Sequence, residues 1–534
     1  MSHKKAQKGQ PGFAIVALMF AVVFSSTYAQ TQQDDNTAAL REKAFTLLES
    51  VAGQLNTLQS GENRARLGAN IVDSLWKHDE KRARALLLLV QEDINAGLDA
   101  KKRLDQTDEH TFMVFSKLRV DTAERIAKYD GQAALAFFHA TVPRSDKPLP
   151  EFLLYNEREL ELRLARQVAA TNPDAAMKVA RKSLDQGFSS DVVALLTQLN
   201  NKHKDQALIL YKEIVQKLRD ADFVSNWEVR TFVETLAQSF NPPAADAATY
   251  RELVAVLTSN ALAHGCAHEL DELDERVDFC QWVTAVVPRM QTFDPRAAKL
   301  KQWAPNVQRE ERSESNFELT ESVRDITSDG EMLRQMPAQR DFYEKLRTLD
   351  DGTLAKIERS INSIEDAEER FGALTEIYRQ YGGNNPKAAL KLLSQASEIV
   401  DTMKPGQQQT RSQIKLAMMY CLEKNDRGLS IMESLLPKLN ELVDVAAKLD
   451  GYDTKYLRDG EWNMSANGPV GELLTVLAQN SEYFAWCDFD RAVSLAGRFD
   501  RNEIRLMAQV KLAQGILAGP PKRVQQQYQP YIRR

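Results

Sequence analysis

The chain has 534 residues, of which 43% are hydrophobic and 27% charged, and its formal net charge is −6 at pH 7. Glycine (23) and proline (18) are sparse, which is typical of helical proteins and argues against a turn-rich β-sandwich. The excess of acidic residues argues against a nucleic-acid partner, because nucleic acids bind basic surfaces.

Residues 1–29 have the pattern of a secretory signal peptide. Three lysines precede an uncharged apolar run from Phe13 to Phe24, and small residues follow at Thr27 and Ala29. This run of 12 residues is shorter than the roughly 20 needed to span a bilayer, so a retained anchor is the less favoured alternative. We expect cleavage after Ala29, export to the periplasm or the cell exterior, and no stable membrane insertion of the mature chain. Cleavage removes three lysines and no acid, which takes the net charge to about −9.

Apolar residues recur with the period of an α-helix along most of the mature chain, as at Val192, Leu196 and Leu199. No sustained period-2 run of β-branched residues indicates a sheet. The sequence therefore predicts an all-α protein.

A short pattern also recurs along the chain. A polar, turn-forming cluster is followed by a small residue and then, three positions later, by a large aliphatic one. Each copy predicts a capped helix start with a close helix contact, which we call the packing seam. The copies are His78-Asp79 with Ala83 and Leu86, Asn172-Pro173 with Ala176 and Val179, Lys204-Asp205 with Ala207 and Leu210, Asn385-Pro386 with Ala389 and Leu392, Asn425-Asp426 with Gly428 and Ile431, and Asp488 and Asp490 with Ala492 and Leu495.

The spacing of these copies fits a two-helix unit. Ala176 and Ala207 are 31 residues apart, and Ala389 and Gly428 are 39 apart. Two helices of about 12 to 15 residues with short turns fill such a unit. We predict helical hairpins stacked as an α-solenoid, either as one array or in two halves.

This pattern resembles the tetratricopeptide-like class of α-solenoids, whose unit has 34 residues and a Trp in its first helix. Leu75-Trp76 comes nearest to that motif, although no later copy repeats the Trp and the unit length varies. The resemblance covers about half of the mature chain. It implies stacked two-helix units, and no ligand-binding residue follows from it.

The predicted organisation has two helical-repeat regions, residues 30–304 and 331–519. Between them, residues 305–330 are polar and predict either a linker or an exposed charged helix. Residues 520–534 have no apolar stripe and predict a disordered tail.

A cluster of potential metal ligands lies at His264, Cys266, His268 and Cys280. Two imidazoles and two thiols could supply a tetrahedral zinc site. Against this, Gly265 predicts a helix end, which would take the two imidazoles off a common helical face. In an exported chain, two cysteines this close more often form a disulfide. We predict a Cys266–Cys280 disulfide, with free thiols or a metal site as the alternatives.

The remaining cysteines, Cys421 and Cys487, each lie on an apolar stripe and should be buried. Their helices are predicted to lie two repeats apart, which would place the sulfurs roughly 20 Å from one another. A disulfide needs Cα atoms within about 7 Å, so we expect both thiols to stay reduced.

The chain offers little for catalysis. No histidine follows His268, a Gly-x-Ser-x-Gly motif is absent, and no motif indicates a cofactor. Glu461, beside Trp462 in a predicted loop, is the best isolated candidate for a sugar-handling acid. A loop Trp, however, more often packs against the fold.

The sequence favours an exported, non-enzymatic helical-repeat protein that binds another polypeptide, as a scaffold or assembly factor in the cell envelope. One alternative is an all-helical enzyme acting on envelope polysaccharide. Another is a structural protein whose only partner is a copy of itself. The identity of the protein partner does not follow from the residues.

Overall fold

A computed structural model describes residues 36–99, 107–142, 151–223, 225–241, 246–264, 282–283, 292–303, 351–381, 383, 385–452 and 454–521. Within these ranges the protein is all-helical except for one hairpin with two residues in each strand. The predicted fold class is therefore confirmed. The predicted signal peptide 1–29, the segment 305–330 and the tail beyond residue 521 lie outside the described residues.

The structure divides into two compact units. The middle unit lies within Gln91–Val323, and the terminal unit combines residues within Met1–Val90 and Arg324–Arg534. The terminal unit thus contains helices from both ends of the chain.

The middle unit is a stack of helices in two rows. Helix α4 packs on α6, α6 on α8 and α8 on α10, while α7 packs on α9 and α9 on α11. Most consecutive helices also pack on one another, which is the arrangement of an α-solenoid. These helices are α4 (Thr107–Ala127), α5 (Gly131–Ala140), α6 (Glu151–Val168), α7 (Pro173–Gln186), α8 (Ser190–Lys202), α9 (Lys204–Leu218), α10 (Trp227–Ser239) and α11 (Ala247–His264), followed by a 3-10 segment (Pro295–Trp303).

The terminal unit begins with α1 (36–54), a 3-10 turn (Leu55–Thr57), α2 (Gly61–Leu75) and α3 (Glu80–Leu98), whose last turns belong to the middle unit. It continues with α12 (Asp351–Asn362), α13 (Ala367–Tyr381), α14 (Pro386–Thr402), α15 (Gln407–Leu422), α16 (Arg427–Lys448), β1 (Leu457–Arg458), β2 (Glu461–Trp462), α17 (Pro469–Gln479), α18 (Ser481–Cys487), α19 (Phe489–Ala496) and α20 (Asn502–Ala518). Helices α12 to α16 pack on one another in sequence, and α20 packs against α2.

The predicted helix caps form at most copies of the repeated pattern. A side-chain oxygen of Asp79, Asn172, Asn385 or Asp488 accepts a hydrogen bond from the backbone N–H three residues later, at 2.9 to 3.2 Å. The Lys204-Asp205 copy differs, because α9 begins after His203 without a side-chain cap.

The predicted packing seam is also present. Ala176, Ala207 and Ala389 are completely buried. At Gly428 close packing leaves no room for a side chain, because a Cβ atom there would lie 2.5 Å from the Ala417 carbonyl oxygen. The exception is Ile431, which is only partly buried.

The predicted separation of Cys421 and Cys487 is wrong. Their thiols are close enough for each to shift the pKa of the other, although both are free cysteines. Cys421 is buried as expected, and Cys487 is partly buried. The prediction assumed regular repeats between the two residues. Instead, the hairpin and the short helix α17 follow α16, and both α17 and α18 pack back on α15.

Candidate functional site

The predicted metal or disulfide cluster lies almost wholly beyond the described part of the chain. Helix α11 ends at His264, and Cys266, His268 and Cys280 lie outside the described residues. The Cys266–Cys280 disulfide and its alternatives stay predictions. Among the residues that the structure describes, no group of three or more His, Cys, Asp or Glu side chains is arranged to hold a metal ion.

Glu461 lies in the β-hairpin. Asp459 and Gly460 form the turn between β1 and β2 with positive φ angles of 53° and 80°, as a two-residue hairpin turn requires. The Glu461 carboxylate accepts hydrogen bonds from the backbone N–H groups of Gln59 at 2.7 Å and Ser60 at 3.0 Å. These groups lie just before α2, where N–H groups have no partner within the helix. Glu461 therefore caps α2, a structural role that accounts for its position.

Further buried polar contacts join α2 to the hairpin. Asn63 Nδ2 donates to the Trp462 carbonyl oxygen at 2.9 Å, and Arg458 forms an ion pair with Glu62. Glu62, Asn63 and Trp462 are each no more than 1% exposed. We call Glu62, Asn63, Arg458, Glu461 and Trp462 the α2 clasp. Its buried charges are paired, as burial requires, and this identifies the clasp as a structural joint.

Trp462 packs within the fold, as expected for a tryptophan beside Glu461. Its indole ring stacks on Tyr456 with ring centroids 5.2 Å apart. Its backbone N–H donates to Glu503 Oε1 at 2.6 Å. The indole is therefore engaged in packing and is not presented to solvent as a platform for a sugar.

The middle unit also contains buried charged residues, of which Arg119 is the most deeply buried. Arg119 is 1% exposed and pairs with Glu157, and its guanidinium group lies 3.8 Å from the centre of the Phe138 ring. It also donates to Thr141 Oγ1 at 3.0 Å. Burial lowers the pKa of Arg119, while Glu157 opposes this change. These contacts bind α4 to α5 and α6.

Glu161 lies beside this group. It interacts with His139 Nε2 at 2.6 Å and accepts from Lys182 Nζ at 2.8 Å. Burial alone would raise the pKa of Glu161, but the hydrogen bonds from His139 and Lys182 outweigh burial and lower the pKa. The arrangement holds Glu161 in its charged form and joins α5, α6 and α7.

An apolar cavity of about 60 Å³ lies between α16, α17, α18, α19 and α20. Pockets for small organic ligands usually measure about 300 to 1,000 Å³. This space is therefore a packing gap in the core of the terminal unit. Residues around it include Leu429, Met432, Leu474, Phe484, Leu495 and Leu512.

The surface at the end of α16 has a different character. Val445, Leu449 and Tyr452 are 45%, 48% and 87% exposed. Val445 and Leu449 are four residues apart and so share a helical face, and the Tyr452 backbone N–H donates to the Leu449 carbonyl oxygen at 3.1 Å. We call these three residues the α16 stripe. Large exposed apolar residues that lie together commonly mark an interaction site.

A groove of about 490 Å³ adjoins the α16 stripe at Val445. Its charged lining consists of Glu441, Asp444 and Asp500 against Lys448 and Arg498. One residue of each sign also pairs outside the groove lining: Arg498 with Glu433 at 3.0 Å, and Asp444 with Arg501 at 4.0 Å. The lining itself has one more acidic residue than basic. The groove is therefore acidic overall, and it favours a basic group on a bound molecule.

Sequence reasoning missed the α16 stripe, although a signal was present. The buried face of α16 includes Leu439, Val443 and Ala446. Val445 and Leu449 lie off that face, so the end of this helix is apolar on two sides. An amphipathic helix in a solenoid needs only one apolar face.

Comparisons with known proteins add little. No protein-family profile and no curated protein matches the chain. Among solved structures it is similar to one described as "Circular tandem repeat protein with novel repeat topology and enhanced subunit contact surfaces", at 11% sequence identity. That match covers 90% of this chain and 96% of the other, with a TM-score of 0.17, which does not establish a common shape. Separately, none of the described helices combines the length and apolar character needed to cross a membrane.

Proposed function

We propose that this protein is an exported, non-enzymatic helical-repeat protein that binds a partner polypeptide in the cell envelope. The observation that carries the binding role is the α16 stripe beside an acidic groove. Stacked helical repeats commonly provide such extended binding surfaces.

The α16 stripe and the groove indicate which side chains the partner segment should carry. Apolar side chains of the partner would cover Val445, Leu449 and Tyr452, and a neighbouring basic side chain would enter the groove beside Glu441 and Asp444. Removing apolar surface from water supplies the main favourable free energy, and the opposite charges align the segment. Because the groove is open to solvent, salt should weaken this charge contribution.

A photo-crosslinking amino acid at position 452 tests the proposed surface. The expected result is a crosslink to one polypeptide, whose purified form then binds the mature chain directly. The same crosslinker at Leu88, which is 59% exposed on α3, is the matched control and should not capture that polypeptide. A crosslink only to a second copy of the chain, or to another segment of the same chain, would contradict the proposal.

Export rests on the lysines and the apolar run before Ala29. N-terminal sequencing of the native protein from fractionated cells should give Gln30 as the first residue. Intact Met1 in the membrane fraction would contradict export while leaving the binding test unaffected.

The structural role of Glu461 supports a binding role over the alternative of an enzyme acting on polysaccharide. Its carboxylate is occupied by the backbone of Gln59 and Ser60. A glycosidase acid needs a second carboxylate across a sugar-binding cleft. We therefore keep the binding role as the proposed function.

A further inference from the structure

Cys421 and Cys487 lie together although 65 residues separate them in the sequence. Cys421 lies in the last turn of α15, and Cys487 is the last residue of α18. The Cys487 thiol is 3.8 Å from the carbonyl oxygen of Asn425, in the turn that follows α15. The packing of α15 on α18 brings the two cysteines together at this turn.

The surroundings hold this pair in place. The glycine at position 428 leaves room for the Cys421 side chain, because a Cβ atom there would lie 2.6 Å from the Cys421 sulfur. The Gly428 N–H in turn donates to the Asn425 carbonyl oxygen at 3.0 Å, the same oxygen that the Cys487 thiol approaches. The turn between α15 and α16 is therefore fixed against the end of α18.

We propose that Cys421 and Cys487 are a disulfide-forming pair, which joins the end of α15 to the end of α18 when the chain meets a disulfide donor. Export would bring the chain into compartments where disulfides form and persist. The proposal replaces the expectation that these thiols stay reduced, since that expectation depended on a separation the structure does not have.

The two thiols have different roles in the reaction. Cys487 is partly exposed, and the neighbouring Cys421 thiol lowers the pKa of Cys487, whereas the Cys487 thiol and burial raise the pKa of Cys421. The Cys487 thiolate attacks one sulfur of a donor disulfide, whose S–S bond breaks and releases one donor thiolate.

Cys421 completes the exchange. Its sulfur, after losing its proton, attacks the Cys487 sulfur, the mixed disulfide breaks and the second donor thiolate leaves. The two protein thiols lose two electrons and two protons, and the donor disulfide gains them as two thiols. A small-molecule or protein disulfide is the only co-reactant needed.

The experiment uses the full mature chain, reduced and then incubated with oxidised glutathione under native conditions. Free thiols are alkylated, and the digest is mapped without reduction. The expected result is a peptide linked through Cys421 and Cys487, with loss of alkylation at both. Alkylation of both cysteines after this exposure, or linkage of either one only to Cys266 or Cys280, would overturn the proposal.

Two variants test the order of the steps. Cys421→Ala should accumulate a glutathione adduct on Cys487, whereas Cys487→Ala should leave Cys421 unmodified because it is buried. The oxidised wild-type chain should lose more thermal stability on addition of dithiothreitol than Cys487→Ala, in which only a Cys266–Cys280 disulfide could be reduced. A fully glutathionylated Cys421 in the Cys487→Ala variant would contradict the assigned roles. Mapping of the wild-type chain decides the pairing even if Cys421→Ala fails to fold.

Discussion

Asn63 and Trp462 are joined by a buried hydrogen bond across 399 positions of the sequence. The Asn63 side chain uses both ends of its amide, because its oxygen also accepts from the Met464 backbone N–H at 3.2 Å. One residue thereby connects α2 to the hairpin of the same compact unit. Contacts of this kind explain why the first helices belong with the last ones.

Asn63→Ala should destabilise the terminal unit by about 2 to 4 kcal/mol, because it leaves one buried and one partly buried backbone group without their partner. Urea unfolding measures the change. The control is Asn502→Ala, which removes a surface hydrogen bond of 2.8 Å to Thr57 Oγ1 between the same two regions. The control should cost less than about 1 kcal/mol. Equal losses in both variants would show that the clasp does not stabilise this unit.

Glu461→Gln should cost about 1 to 2 kcal/mol, because the amide keeps only one acceptor oxygen. One of the two N–H groups at the start of α2 then loses its acceptor and faces an NH2 donor. The matched control is Glu472→Gln at an exposed site, where Glu472 accepts from Arg411 at 2.7 Å. Surface pairs contribute about 1 kcal/mol or less, so the control should change stability little. Unchanged stability of Glu461→Gln would show that Glu461 does not cap α2.

The packing seam gives a prediction for each unit. Ala176→Leu and Ala389→Leu should each cost about 1 to 3 kcal/mol, because a larger side chain overfills a close helix contact. Ala136→Leu on the exposed side of α5 is the control and should have little effect. Urea melts of the three variants decide between these outcomes. Wild-type stability in both seam variants would show that the seam is wrongly assigned.

The local features of the fold could be predicted from the sequence, whereas the long-range ones could not. The cap at Asn172 and the burial of Ala176 depend on neighbouring residues within one helix start. The contact between Glu461 and Ser60 depends on how helices far apart in the sequence pack together. The adjacency of Cys421 and Cys487 was missed because the hairpin and short helices before α18 break the regular repeat.

The pKa of Glu161 predicts how stability changes with pH. The folded-state pKa lies below the ordinary value, so the contribution of the charged group is present above that ordinary value and is lost as pH falls through the folded-state pKa. The stability difference between wild type and Glu161→Gln should therefore be full near neutral pH and shrink in acid. Urea melts of both proteins across this range measure it. A difference that stays constant with pH would contradict the assigned role of Glu161.

The proposed binding surface is tested most directly by the affinity of the crosslinked partner, once purified, for two matched variants. Leu449→Asp places a charge in the α16 stripe, and Leu88→Asp places the same charge at a similarly exposed leucine on α3. Isothermal titration calorimetry should show affinity reduced by about tenfold or more for Leu449→Asp, equivalent to about 1.4 kcal/mol, and unchanged for Leu88→Asp. Wild-type affinity of Leu449→Asp would contradict the assignment of this surface as the partner-binding site.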